Sequence, residues 1–287
     1  MPKEINIAVS SLALAGKSPE EIISIAQKEN YVLEFSSGMP YRNDMEKLFL
    51  NAPIKKLPHN YFPAPEKPFV LNLASTNDEI RNRSIAHCVN GLRLASLANA
   101  PFFSAHAGFC IDPNPSELGK QLKKQANIDK NKNWKLFIES VKMILKESEK
   151  YKVEFFIENN VIASMNVYTD GTNPLFCCDD SEMTKLINEI NNPRLGILLD
   201  TGHIKVSSNT LKFSVDTCLM KIKPFVKCIH HSDNDGIFDT NQPLNEQYWF
   251  WKYIKEFSDI YHVLEVKNQT VEQINHQLSL LRNNILN

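Results

Sequence analysis

Glycine is scarce in this chain, nine residues in 287, and none of the nine sits in a GxGxxG turn. The phosphate-binding fingerprint of a doubly wound dinucleotide fold is therefore missing. An excess of either charge is missing too: 32 Lys and Arg face 33 Asp and Glu, a net charge of -1. That removes the broad attraction most nucleic-acid and anionic-membrane binders rely on, so neither partner is expected. The six cysteines (Cys88, Cys110, Cys177, Cys178, Cys218 and Cys228) include no CxxC pair. They are too sparse for a disulfide scaffold and read as reduced thiols in a cytoplasmic protein. The apolar stretch in MPKEINIAVSSLALAG holds roughly ten residues, well short of the about 18 that cross a bilayer. Glu4 after Lys3 denies it a basic leader, and it reads as a first strand.

What the chain does have is alternation. Short apolar runs at Ile5–Ser10, Val32–Ser36, Ile54–His59, Phe102–His106, Val153–Glu158, Leu195–Asp200, Val226–His230 and Val263–Val266 predict eight strands. Helical patterns lie between them. Ser18-Pro19-Glu20-Glu21 is a capping box with proline at the first helical position, and Thr76-Asn77-Asp78-Glu79 opens a second helix in the same manner. A helix near Asp44–Leu50 is weaker; Trp134, Phe137, Val141 and Ile144 mark another, as do Val271, Ile274, Leu278 and Leu281. Eight strand–helix units match a (β/α)8 barrel better than an open sheet. With no repeat, linker or low-complexity segment, residues 1–287 read as a single TIM-barrel domain. The longest irregular stretch, 159–178, follows the fifth strand, where the active-site lids of barrels tend to lie.

Four consecutive strands end in a residue type that binds metals. FFIENN carries Glu158, LGILLDTGH carries Asp200 and His203, KCIHHSDNDG carries His230 and His231, and VLEVK carries Glu265. The intervals of 42, 30 and 35 residues are each about one β/α unit. A lone Glu after a strand is usually a solvated strand end, and a lone Asp usually caps the next helix. Four such residues in order must instead converge on the C-terminal mouth of the barrel, where three carboxylates would repel one another without a cation. With one imidazole they suit a single divalent ion: Mn²⁺, Mg²⁺, Co²⁺ or Zn²⁺.

These segments, 155–160, 195–203, 229–234 and 264–266, resemble the metal motifs of the xylose isomerase-like TIM-barrel superfamily. Its members include sugar isomerases, ketose 3-epimerases, related dehydratases and endonuclease IV-type DNA-repair enzymes. LPHNYF, FVLNLAS and SAHAGF resemble the third- and fourth-strand motifs of the endonuclease branch. The resemblance covers essentially the whole chain and implies Glu158, Asp200, His230 and Glu265 as metal ligands. His230 fits the pattern of His, two variable residues and an acid, here Asp233. Strand alternation independently turns Val226, Cys228 and His230 inward and His231 toward the helices.

The resemblance also implies that Glu158 and Glu265 form an acid/base pair that removes a proton α to a carbonyl and returns it on the other face. His203 resembles a substrate-binding residue. His59 and His106 match ligand positions of the endonuclease branch, where with Glu158 they would form a second, weaker metal site; here they are taken as substrate-binding. Lys267 is placed to hold a phosphate or carboxylate. Two departures stand out. Gly236 occupies the place of an arginine common in ketose epimerases, and Ser232–Pro243 lacks the Asp-x-His of a trinuclear zinc site. The expected activity is a metal-dependent sugar or sugar-phosphate isomerase/epimerase acting on a small carbohydrate. An abasic-site endonuclease and a dehydratase of the same barrel are the alternatives. Tyr248-Trp249-Phe250-Trp251 offers a helix packed on the barrel, a sugar-stacking platform or a homodimer face.

Overall fold

A computed structural model describes residues 6–36, 38–125 and 128–286; Ile5, the first residue of the expected first strand, lies outside them. Eight parallel strands form a nearly closed barrel: β1 (Ile7–Ser10), β2 (Val32–Phe35), β3 (Lys56–Pro58), β4 (Phe102–His106), β5 (Glu154–Glu158), β6 (Leu195–Asp200), β7 (Val226–His231) and β8 (Tyr261–Leu264). Ladder pairing runs continuously from β3 through β2, β1, β8, β7, β6 and β5 to β4. The seam between β3 and β4 is closed by one parallel bridge, His59 to Ser104, and by the Asn60 amide donating to the Ser104 carbonyl at 2.7 Å. Among the described residues, no helix is long and apolar enough to cross a membrane.

The helices start and stop where local chemistry requires. In α1 (Pro19–Glu29) the Ser18 hydroxyl accepts from the Glu21 amide and the Glu21 carboxylate accepts from the Ser18 amide, the full capping box. The cap of α3 (Asp78–Leu97) is Asn77 rather than Thr76, its side chain accepting from the Glu79 and Ile80 amides. At α2 (Met45–Asn51) Asp44 makes no capping bond because its carboxylate is held by Arg42. The other end of α2 is closed by buried Lys56, whose ammonium donates to the carbonyls of Ala52 and Leu50 at 2.6 and 3.1 Å. Trp134, Phe137, Val141 and Ile144 form the buried stripe of α4 (Lys130–Tyr151). β3 is shorter than the expected Ile54–His59, and β8 ends at Leu264, so Glu265 stands just beyond its strand. Tyr248 and Phe250 are buried against the barrel ahead of the short helix α8 (Trp251–Ile254).

Inside the barrel, side chains are stacked in layers. At the floor Phe102 and Phe156 stack at 4.6 Å, and Tyr261 meets Phe102 at 5.2 Å. Gly196 on β6 makes room for them: a Cβ there would lie 2.7 Å from the Phe156 ring. Above this floor the register places Asp200 beside His230 and His106 beside Glu158 at the strand ends. A bulge in β7 leaves Lys227 exposed and pairs Cys228 with Leu198, fixing which residues of the two strands share a level. Replacing Gly196 with alanine is expected to destabilise the fold by about 1–3 kcal/mol, the usual cost of overpacking a closed core. Urea unfolding should show a lower midpoint at unchanged slope; an unchanged midpoint would show that the floor relaxes freely.

Candidate active site

The sheet brings the mouth residues together on a shared level. Glu158 closes β5, Asp200 closes β6, His230 sits one residue from the end of β7, and the Glu265 amide still donates to the His231 carbonyl at 3.0 Å. One ligand atom from each of Glu158, Asp200, His230 and Glu265 falls within 4.8 Å of the other three. A second group, His59, His106 and Glu158, meets the same condition and shares Glu158 with the first. A third joins Glu34, His59 and His230. Glu34, fully buried on β2, was not anticipated from the sequence, because it lies inside the run YVLEF rather than at its end. The clue available was an acid in an otherwise apolar strand.

His230 is the hub. Its Nδ1 lies 2.9 Å from Glu265 Oε2 and 3.8 Å from Glu158 Oε1, while its Nε2 lies 3.0 Å from Glu34 Oε2. Burial works against a charged imidazole, but Glu34 and Glu265 beside it raise its pKa well above the ordinary value. Burial likewise opposes ionisation of Glu265 and Glu158. The facing His230 nonetheless holds Glu265 down at about 2, and His106, His59 and His230 hold Glu158 well below the carboxylate range. Asp200 goes the other way. Burial, reinforced by Asp239, Glu265 and Glu158, pushes its carboxyl well above the usual range against the pull of His203.

Each carboxylate is partly spoken for, and the remainder faces inward. Asp200 Oδ1 accepts from the His203 amide at 2.7 Å and so caps α6 (Thr201–Leu211); its Oδ2 is buried without a hydrogen-bond partner. The helix-cap reading of that aspartate is met by Oδ1, and Oδ2 is left free to serve as a ligand atom. Glu158 Oε2 is likewise buried with no hydrogen bond, 3.3 Å from His59 Nε2 and 3.5 Å from His106 Nδ1. Orphaned carboxylate oxygens carry a desolvation cost that a cation removes. The donor set is hard carboxylate oxygen with imidazole nitrogen, which fits a divalent ion of the Mn²⁺, Mg²⁺, Co²⁺ or Zn²⁺ class. Glu34 Oε2 lies 3.0 Å from His230 Nε2, so an Nε2–H donated to it leaves Nδ1 facing the carboxylates, an arrangement of the kind found at metal-bound histidines.

Backbone groups around the cluster are clamped by side chains. The Asn159 carboxamide accepts from the Asp200 amide at 2.7 Å, and Asn160 donates to the carbonyls of Ala107, Gly108 and Phe176. The Thr201 hydroxyl lies 3.1 Å from the His230 carbonyl and 3.0 Å from that of Ser232, and Tyr248 donates to Thr201 at 2.6 Å. His231 lies outside the cluster. Its Nε2 faces His262 Nδ1 at 2.9 Å, and its Nδ1 faces the Tyr248 hydroxyl at 3.2 Å. Burial keeps both of these imidazoles neutral, His231 well below its ordinary pKa and His262 at about 4.

Outward from the cluster opens a cavity of about 330 Å³, within the range of small-ligand pockets. His106, His203 and Lys267 line it, with Asn60, Asn160 and Asp239. His203 donates from Nδ1 to the Asn159 carbonyl at 2.8 Å and turns Nε2 toward Asp239 Oδ2 at 3.4 Å. His59 is buried instead, its Nδ1 on the Ser104 hydroxyl at 2.8 Å. Asp239 belongs to an irregular loop, where no periodicity could have singled it out.

The family model for the xylose isomerase-like TIM barrel matches residues 14–283. Among solved structures, a D-tagatose 3-epimerase-like protein superposes with a TM-score of 0.73 at 15% identity, covering 98% of this chain and 97% of that one. The D-psicose 3-epimerase of Clostridium cellulolyticum H10 gives 0.70 at 13% identity, covering 98% and 99%. An IolI protein with a bound zinc atom gives 0.69 at 11%, covering 98% of each chain. At such identities the likeness is one of fold. No curated protein matches the chain by sequence.

Metal analysis of purified variants tests the cluster. Asp200→Ala and His230→Ala are each expected to lose the ion, and His231→Ala to keep it. Glu34→Ala should weaken binding by about 10–100-fold, with Glu34→Gln, which retains an acceptor for Nε2–H, falling between. Retention of the metal by His230→Ala together with its loss from His231→Ala would overturn this assignment.

Proposed function

Because the chain belongs to the xylose isomerase-like TIM-barrel family, we propose that it is a divalent-metal-dependent sugar isomerase or epimerase that works by proton transfer α to a carbonyl. The observation that carries this reading is the convergence of Glu158, Asp200, His230 and Glu265, with buried, unpartnered oxygens on Glu158 and Asp200. These four residues would hold the ion, which when bound supplies electrophilic polarisation of the substrate carbonyl and its neighbouring oxygen.

The chain's own groups do the rest. Asp200, tied by one oxygen to the start of α6, holds its other oxygen fixed and anchors the site. Glu158 closes β5 and Glu265 follows β8, both turned toward His230 Nδ1, and in this reading a bound sugar carbon meets one carboxylate on each face. One, ionised, takes the proton next to the carbonyl. The other, protonated from solvent once substrate is bound, delivers that proton to the opposite face, the configuration inverts, and the first returns its proton to solvent. His203, oriented by the Asn159 carbonyl and Asp239, holds a substrate hydroxyl. His106 and Lys267 contact the substrate from the cavity wall.

Glu158→Gln and Glu265→Gln keep one coordinating oxygen and remove the basic site. Each is expected to lower turnover of a ketose substrate by about 10²–10⁴-fold, while retaining more metal than Asp200→Ala. In D₂O, single-Gln variants should still exchange one face of the substrate without completing inversion, a signal read by NMR. Full activity in both variants would reduce these carboxylates to metal holders and sink the proposed chemistry.

One observation favours a second reading, a zinc-dependent abasic-site endonuclease: the group His59, His106 and Glu158, which offers room for another ion. The net charge of -1 weighs against it. Negligible incision of abasic DNA is expected with Zn²⁺ at low salt, and one ion per chain; efficient zinc-dependent nicking would reverse the order of the two readings.

A further inference from the structure

The walls of the cavity differ from its floor. Beyond His106, His203 and Asp239 the lining mixes apolar side chains, Phe109, Leu118, Leu122, Met165, Leu175 and Phe238, with Tyr61, Asn60, Asn160 and Asn166. Leu118 and Phe238 are exposed large apolar side chains, 39% and 45% accessible, standing on the β4–α4 and β7–α8 loops. Hydroxyls that met only the apolar part of this wall would go unpaired, at about 1–3 kcal/mol for each unmet group.

Two cations share the same lining. Lys267 lies two residues beyond Glu265, and Lys120 belongs to the loop after β4. Their backbones are held in place. The Lys267 amide donates to the Asn241 carbonyl at 3.0 Å, and the Lys120 carbonyl accepts from Asn166, whose side chain also accepts from the Leu122 amide. Their ammonium groups, by contrast, have no ion-pair or hydrogen-bond partner among the described residues. Both side chains are exposed at the rim; Lys205, Lys221 and Lys130, by comparison, pair with Asp233, Asp180 and Glu182. The carboxylate in the cavity lining, Asp239, faces His203. Two anchored, unpartnered cations at one mouth make a receptor for an oxyanion.

Resting on the isomerase reading above, we propose that the substrate is anionic: a phosphate or carboxylate at its far end lies between Lys120 and Lys267 while the reacting carbons reach the carboxylate cluster. Both lysines are exposed at the rim, so the contact is open to screening by salt. The charged end sets the depth at which the substrate seats.

The test uses carbonyl-free probes, so binding is read without turnover. Glucitol, glucitol 6-phosphate and gluconate are titrated calorimetrically into the metal-loaded protein. The phosphate ester, the carboxylate or both should bind at least about tenfold more tightly than glucitol, and the advantage should shrink in about 0.5 M NaCl as the charges are screened. The tighter of the two anions identifies the oxyanion. Lys267→Ala and Lys120→Ala should each cut the advantage and the double variant should remove it, whereas Lys146→Ala, on α4, should leave it intact. Equal affinity for glucitol and both anions overturns the proposal, as does an advantage that survives in the double lysine variant, since the anion would then be binding elsewhere. Selective anion binding by a protein that turns over no ketose phosphate would fail the isomerase reading and leave this one standing.

Discussion

Everything at the mouth of this barrel is arranged around concentrated buried negative charge. Glu34, Glu158, Asp200 and Glu265 reach into one space from four strands or strand ends, and imidazoles meet them there. Burial alone would drive such carboxyls to their neutral forms. The structure divides the burden instead: His230 bridges Glu34 and Glu265, His59 and His106 face Glu158, and Asp200 is left as the group whose ionisation is suppressed. Folding the chain thus produces a site with an electrostatic deficit of fixed shape. The fold tolerates that cost because the barrel below is apolar and closely filled.

Rigidity around the deficit comes from side chains that bond to backbone. Asn159 clips the start of α6 to β5 by bonding both the amide and the carbonyl of Asp200, and Thr201 reaches across to the backbone of β7. Behind β7, the neutral chain of Tyr248, His231 and His262 fills the space between the strand and the segment leading to α8 without adding charge. Two adjacent histidines in one strand therefore differ completely in electrostatic state. His230 is surrounded by carboxylates, and His231 by aromatic rings and another neutral imidazole.

Much of the architecture was legible because parallel strands covered on both faces read as unbroken apolar runs, and β4 to β7 do so clearly. Strand ends were less legible. β3 shrinks to Lys56–Pro58, where proline lacks an amide to continue the ladder, and β8 stops before Glu265, where the wall gives way to the polar mouth. Asp200 could be read as a cap or a ligand; one oxygen makes the cap and the other is left without a partner. Glu34 escaped notice because attention went to the last residue of each strand, whereas β2 directs an interior acid at the cluster. Asp239 and the clamping role of Asn159 depend on how distant segments meet, which no local pattern encodes. Lys267 was visible from its spacing to Glu265; Lys120 became visible only once the loop after β4 was seen to border the same cavity.

The joint between β3 and β4 gives the barrel a mechanical character that a fully laced ring would not have. Seven of its junctions are ladders, and the eighth is a single bridge with one added backbone bond, so the sheet resembles a coiled ribbon whose ends overlap. Any change in girth is concentrated at that weakest stave, because opening it breaks the fewest hydrogen bonds. His59 stands at this joint and His106 closes the neighbouring stave. The compliance of the whole barrel is thereby located at the histidine side of the mouth, while the opposite side, where Asp200 and His230 sit on continuous ladders, stays stiff. Widening the mouth at that joint would leave the spacing of Asp200 and His230, on their continuous ladders, unchanged.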